Sequence, residues 1–230
     1  MLLQEKSAQL KLRTGLANES SLQIQGPAGL LETVVAAPTD TNNPEWLAVI
    51  CHPHPLQGGT MTNKVVTTLA KTLHHLGMAA VRFNFRGVGN SQGQYDGGRG
   101  ETADLLAIVD HFQRNYPAAK ICLAGFSFGA YIAYRGATEV AADDLITVSP
   151  PVNHFDFSSL PVPSCPWLVI QGDNDEVVPH TTVLTWLADL SVMPECIIMP
   201  GSSHFFHGRL TEMRDHVIAH ILQANLLGNT

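Results

Sequence analysis

Residues 120–135 read KICLAGFSFGAYIAYR. The run at 120–124 is apolar and strand-like, and 130–135 has the composition of a helix. Between them stands Gly125-Phe126-Ser127-Phe128-Gly129, a G-x-S-x-G pattern in the strand–turn–helix setting it needs. Small residues at both flanks let the backbone fold tightly, which lifts Ser127 to the apex of the turn. The helix N-terminus behind it offers N–H groups and the positive end of a dipole to a nearby oxyanion. An unassisted hydroxyl is a poor nucleophile, so Ser127 requires a base within reach and a third group to orient that base. In the chain order that begins with serine, both partners lie downstream.

Outward from this turn the chain alternates. Apolar runs at 46–51, 79–85, 120–125, 145–148, 167–171 and 196–199 read as strands. The first of them, WLAVIC, is apolar without interruption, as a strand covered on both faces must be. Helical spacing marks Val66, Leu69, Leu73 and Leu76, ending at Gly77; Leu105, Ile108, Val109 and Phe112; and Leu210, Met213, Val217 and Ile221, ending before Gly228. Near the start, 22–25 and 31–37 flank Gly26-Pro27-Ala28-Gly29, a hairpin signature. This rhythm predicts an α/β fold, a mostly parallel twisted sheet of about eight strands with helices on both faces. Such sheets bind ligands at the carboxyl ends of their strands, so the chemistry is expected in the loops just after them.

The chain has 230 residues, 45% apolar and 14% charged, against a charged share of roughly a quarter in ordinary domains. That excludes a disordered, collagen-like or coiled-coil chain and predicts a single domain over 21–230, with residues 1–20 an N-terminal arm or extra edge strand. Thirteen Lys and Arg against twenty Asp and Glu give a net charge of −7, which disfavours nucleic acid and anionic membrane surfaces as partners and favours a small molecule. The sequence leaves room for a homodimer. Cys51, Cys122, Cys165 and Cys196 form no CxxC pair and read as reduced thiols. No uncharged apolar run approaches the ~18 residues of a membrane span, and Glu5, Lys6, Lys11 and Arg13 interrupt any signal-peptide core. The expected location is the cytoplasm.

The acid and base follow later strands. After 167–171 comes Gly172-Asp173-Asn174-Asp175-Glu176-Val177-Val178-Pro179. Asp173 lies in the turn, where backbone N–H groups satisfy such a residue, and Glu176 reads as a solvated charge. Asp175 stands far enough past the strand to point back over the sheet edge, and it is preferred as the acid. After 196–199 comes Pro200-Gly201-Ser202-Ser203-His204-Phe205-Phe206-His207, in which His204 is preferred as base and His207 reads as a surface or capping residue. His204 would take the Ser127 proton and return it to the leaving group, with Asp175 holding the tautomer. Eleven histidines invite a metal reading, but neither His52-Pro53-His54 nor His216 with His220 comes with a zinc-like set of further ligands, so neither a metal nor another cofactor is expected.

A tetrahedral intermediate needs two N–H donors. One would be the main chain of Phe128, directly after the nucleophile. The other should come from the loop after 46–51, His52-Pro53-His54-Pro55-Leu56-Gln57-Gly58-Gly59, where the prolines remove the donors at 53 and 55 and leave His54, Leu56 and later residues as candidates.

With these motifs in this order, the sequence resembles the α/β-hydrolases from about residue 46 to about residue 227. The stretch Arg82-Phe83-Asn84-Phe85-Arg86-Gly87-Val88-Gly89-Asn90-Ser91 is similar to the Arg-Gly-x-Gly-x-Ser segment that follows the fourth strand in that superfamily. The loop at 52–56 is similar to its His-Gly-x pattern, with Pro53 in the glycine place. That register implies His54 as the second oxyanion donor, through its main chain, with Leu56 as the competitor. Together the HPHP loop and RFNFRGVGNSQGQYD resemble small, lidless bacterial hydrolases of the superfamily.

Many relatives insert a cap after the sixth strand. Here 149–165 is a seventeen-residue stretch with four prolines, too short for a helical lid. An open, shallow site is expected, with Phe126, Phe128, Phe205 and Phe206 as candidates for an acyl pocket. The resemblance implies a serine hydrolase that cleaves carboxylic esters of small or exposed acyl substrates through a Ser127–His204–Asp175 triad and an acyl-enzyme. A thioesterase or small peptidase would use the same residues, and a binding or scaffold protein would keep the fold without turnover. The segment at 82–96 reads as structural, with Arg86 as its anchor, and the helix dipole suffices to explain Glu101 and Asp104.

Overall fold

The computed structural model describes residues 19–38 and 44–227. The chain opens with a hairpin of β1 (Glu19–Gly26) and β2 (Gly29–Ala36) around Pro27-Ala28, with Ile24 paired opposite Leu31 and both buried. Of the arm expected over 1–20, residues 1–18 lie outside the described residues, and Glu19 and Ser20 open β1.

Six further strands follow: β3 (Trp46–Cys51), β4 (Ala79–Phe83), β5 (Lys120–Phe126), β6 (Asp144–Val148), β7 (Trp167–Gly172) and β8 (Glu195–Met199). The eight form one sheet in the order β1-β2-β4-β3-β5-β6-β7-β8, antiparallel at β1–β2 and β2–β4 and parallel elsewhere. From β3 the chain runs outward to β4 and then returns to β5 on the other side of β3, so the order reverses between β3 and β5. Crevices form at such a reversal, beyond the carboxyl ends of the strands. The two segments that leave those ends are the 52–59 loop and the Ser127 turn.

Side-chain alternation divides the strands between two cores. Leu47, Val49, Val81 and Leu123 face α2 (Arg99–Asn115), α3 (Phe128–Ala137) and α4 (His180–Ala188). Ala48, Ile50, Ala80, Cys122 and Ala124 face α1 (Lys64–His75) and α5 (Leu210–Leu227). Asn63 starts α1 by accepting the Val65 N–H at 2.8 Å. Gly77, at φ 94°, turns the chain out of α1 where an L side chain would be strained. Helix α2 begins well before its apolar spacing: Glu101, fully buried, accepts the N–H groups of Asp96 at 2.9 Å and Gly98 at 2.7 Å.

Between β6 and β7 the described chain forms no helix. Phe155 and Phe157 pack down on Tyr131, and Phe157 reaches Tyr134 and Trp186 as well, so this stretch lies flat where a cap would rise. All four cysteines are free. Among the described residues no helix is long and apolar enough to cross a membrane.

Candidate active site

Ser127 sits between β5 and α3 at φ 55° and ψ −123°, a conformation that costs a non-glycine residue about 1–3 kcal/mol. Its N–H donates to the Val148 carbonyl at 2.8 Å, and its own carbonyl accepts the Ala130 N–H at 2.8 Å. A Cβ on Gly125 would collide with the Gly129 carbonyl, and one on Gly129 with the Cys51 carbonyl. The two glycines of G-x-S-x-G are therefore required by close backbone approach. The second seats the start of α3 against the end of β3 and so brings the 52–59 loop beside the serine.

The loops after β7 and β8 bring the expected partners to it. His204 Nε2 lies 3.1 Å from Ser127 Oγ, and His204 Nδ1 lies 2.9 and 3.0 Å from the two Asp175 oxygens. With Nδ1–H donating to the carboxylate, Nε2 is left as an acceptor facing the hydroxyl. Asp175 also accepts from Gln171 Nε2 at 3.0 Å and from the N–H groups of Val177 at 2.9 Å and Val178 at 2.7 Å. Burial pushes its pKa up, but the hydrogen bonds from His204 and the Val178 N–H outweigh this and hold the carboxyl below its ordinary value. Phe126 packs against the His204 ring at 5.0 Å in a tilted arrangement.

The competing acids have other contacts. Asp173 Oδ1 accepts the Gly201 N–H at 2.6 Å, which ties the β8–α5 loop to the β7 loop. Glu176 is exposed, as expected of a solvated charge, and its Oε2 also accepts the His204 N–H at 3.2 Å. His207 is exposed, with its ring 5.9 Å from Phe205.

In the 52–59 loop both histidines are bound through opposite tautomers. His52, fully buried, accepts the Phe85 N–H on Nε2 at 3.0 Å and donates from Nδ1 to the Pro53 carbonyl at 2.6 Å. Burial drives its pKa down to about 4, with the Pro53 hydrogen bond opposing. The Leu56 N–H donates to His54 Nδ1 at 3.2 Å, so that donor is already engaged. Among the described residues neither the His54 nor the Phe128 N–H is taken by another group.

Of the four phenylalanines considered for an acyl pocket, Phe206 is fully buried under α1 and α5, Phe126 braces His204, and Phe205 is exposed. Phe128 underlies the rings of His54, Tyr95 and Phe155 at 5.1, 5.8 and 5.3 Å. Tyr95, which the sequence reading does not single out, sets its hydroxyl 3.2 Å from His54 Nε2. A lone aromatic in the Gly- and Gln-rich stretch SQGQYDGG is the signal that marks it. Its loop is anchored by Arg86, as expected, and the anchor is Asp104, bound at 2.9 Å through Nε and 2.7 Å through Nη2. The helix dipole therefore does not account for Asp104. Among the described residues no group of three or more His, Cys, Asp or Glu could hold a metal ion. His220 instead bridges Asp144 at 2.9 Å and Glu195 at 2.8 Å.

A family model described as serine aminopeptidase, S33, matches residues 42–161. An uncharacterized protein of Rickettsia prowazekii is 39% identical over 201 residues, 83% of this chain and 84% of that one. The structure of an α/β serine hydrolase without lid from Xanthomonas campestris superposes with a TM-score of 0.85 at 41% identity, covering 90% of this chain and 95% of that one. An α/β serine hydrolase homologue from Coxiella burnetii gives 0.83 at 49% identity, covering 87% and 96%. With the serine turn, the strand order and the uncapped β6–β7 stretch already in place, these likenesses assign the chain to the α/β serine hydrolases without a lid.

Proposed function

We propose that this hydrolase cleaves carboxylic esters of small or exposed acyl substrates through an acyl-enzyme on Ser127. The unbroken chain of contacts from Asp175 through His204 to Ser127 Oγ carries the reading. Ser127 Oγ attacks the ester carbonyl carbon as its proton passes to His204 Nε2, and Asp175 stabilises the imidazolium. The oxyanion accepts the N–H groups of Phe128 and His54. As the intermediate collapses, the carbon–alkoxide bond breaks and His204 returns the proton to the leaving oxygen. Water then attacks the acyl carbon with His204 again as base, which releases the carboxylic acid and restores the serine.

Ser127 is half-buried and no cap covers it, which suits short or protruding acyl groups. A cavity of about 430 Å³ behind Phe155, walled by Phe157, Thr182 and Trp186, includes neither Ser127 nor His204. The four free thiols fit a reducing compartment, and we place the protein in the cytoplasm.

The description of the matched family as a serine aminopeptidase favours a second reading, in which the same residues cleave an amide. Kinetics on an ester, a thioester and an amide with one acyl group distinguish the two. The ester reading expects the highest kcat/KM for the ester, and a preference for the amide replaces it with the peptidase. Turnover that survives in Ser127→Ala rejects both, and an inactive wild type returns the protein to the class of binding or scaffold proteins.

A further inference from the structure

The His54 imidazole is tied into the loop by three independent contacts. Its Nδ1 accepts the Leu56 N–H at 3.2 Å, its Nε2 lies 3.2 Å from Tyr95 Oη, and its ring packs against Tyr95 at 5.0 Å and Phe128 at 5.1 Å. A backbone N–H can only donate, so Nδ1 must hold a lone pair. A neutral ring then carries its proton on Nε2 and donates it to Tyr95 Oη. The tautomer follows from geometry.

This contact has few substitutes. The turn at Pro55–Gln57 has no N–H at Pro55, and the Gln57 and Gly59 N–H groups both go to the His54 carbonyl at 3.0 Å. The Leu56 side chain is 72% exposed, so packing does not hold the turn. The His54 ring, packed on Phe128 at 5.1 Å, ties residues 54–57 to the Ser127 turn.

We propose that the neutral His54 side chain is a positioning residue. By capping the Leu56 N–H while Tyr95 holds its proton on Nε2, it keeps the His54 main-chain N–H aimed at the oxyanion. The inference rests on the Ser127 reaction above and adds a role for a side chain where that reading uses only the main chain. The ring acts neither as acid nor as base, and its proton stays on Nε2 through the cycle. A proton added at Nδ1 would meet the Leu56 N–H head-on. Burial lowers the pKa of the ring and His154 adds to this, while Glu101 opposes it, so the geometry and these surroundings favour the neutral form.

Three variants test the proposal. His54→Phe keeps the ring packing and loses the acceptor. Its kcat should fall by about tenfold or more, towards the ~10²-fold loss of a whole oxyanion donor, while KM moves by less than about twofold. Asn is a good capping residue whose carbonyl can accept the Leu56 N–H, so His54→Asn should recover most of the lost kcat. Tyr95→Phe leaves the Nε2 proton without its acceptor and should lower kcat by several-fold with KM held. Nitrogen-15 NMR of the wild type should find the His54 proton on Nε2. A proton on Nδ1, a His54→Phe variant as active as wild type, or an Asn variant no better than Phe overturns the inference. If Ser127 still takes a fluorophosphonate, the main reading survives that failure. A wild type that does not react at Ser127 removes both.

Discussion

Acid should weaken this fold through His52, by an amount the structure sets. His52 is fully buried with both ring nitrogens bound, and its pKa is driven from the ordinary imidazole value of 6.5 to about 4. Between these values the unfolded chain binds a proton that the folded chain refuses, so stability rises with pH across that window. Its contribution is complete above about 6.5 and is lost as the pH falls towards 4. A gap of about 2.5 at about 1.4 kcal/mol for each is about 3.5 kcal/mol. His52→Gln keeps an acceptor for the Phe85 N–H and removes the titration. The assay is urea unfolding at several pH values from 7 to 4.5, followed by tryptophan fluorescence. Other titrating groups act on both proteins alike, and the Asp175 carboxyl, held below its ordinary value, titrates below this range, so the difference between the two curves isolates His52. Wild type should lose about 2.5 kcal/mol more than His52→Gln across that range, which stops just short of the full window. Parallel curves would refute the reasoning.

Asp104→Ala leaves the nearly buried Arg86 guanidinium unpaired, and calorimetry should show a loss of about 3–5 kcal/mol; a change under about 1 kcal/mol would mean that the pair does not hold the 84–98 loop. His220 behaves oppositely to His52. Burial pulls its pKa down, but Asp144 and Glu195 outweigh this and raise it, so the stability it adds is complete below about 6.5 and fades as the pH climbs through the raised value. Against His220→Gln, wild type should therefore lose its advantage in unfolding free energy between neutral and alkaline pH, and an advantage that grows with pH contradicts the bridge. Asp175→Asn should cut kcat by roughly 10⁴-fold, because an amide stabilises the wrong His204 tautomer; a loss under about tenfold would remove Asp175 from the mechanism.

What the sequence makes legible is what repeats or punctuates. Alternating apolar runs announce the strands, and the pair Gly125 and Gly129 announces the serine turn, because close backbone approach leaves no room for a Cβ there. Ser127, Asp175 and His204 can be picked out because each follows a strand. Side-chain pairings that no strand end or repeat marks are not legible in this way. Asp104 meets Arg86 eighteen residues away, and Tyr95 meets His54 forty-one residues away. Exposed Glu176 accepts the His204 N–H twenty-eight residues on, a contact that nothing in its own loop announces. The helix α2 starts early because buried Glu101 caps it, a role its own apolar spacing does not carry.

The most direct test of the account treats wild type, Ser127→Ala and His204→Gln with a fluorophosphonate probe and follows each by peptide mass spectrometry. The account predicts one adduct on the wild type, located at Ser127, none on Ser127→Ala, and adduct formation on His204→Gln slowed by about a hundredfold or more, the scale of a lost general base. An adduct at another residue, or a His204→Gln variant that reacts as fast as wild type, would contradict it.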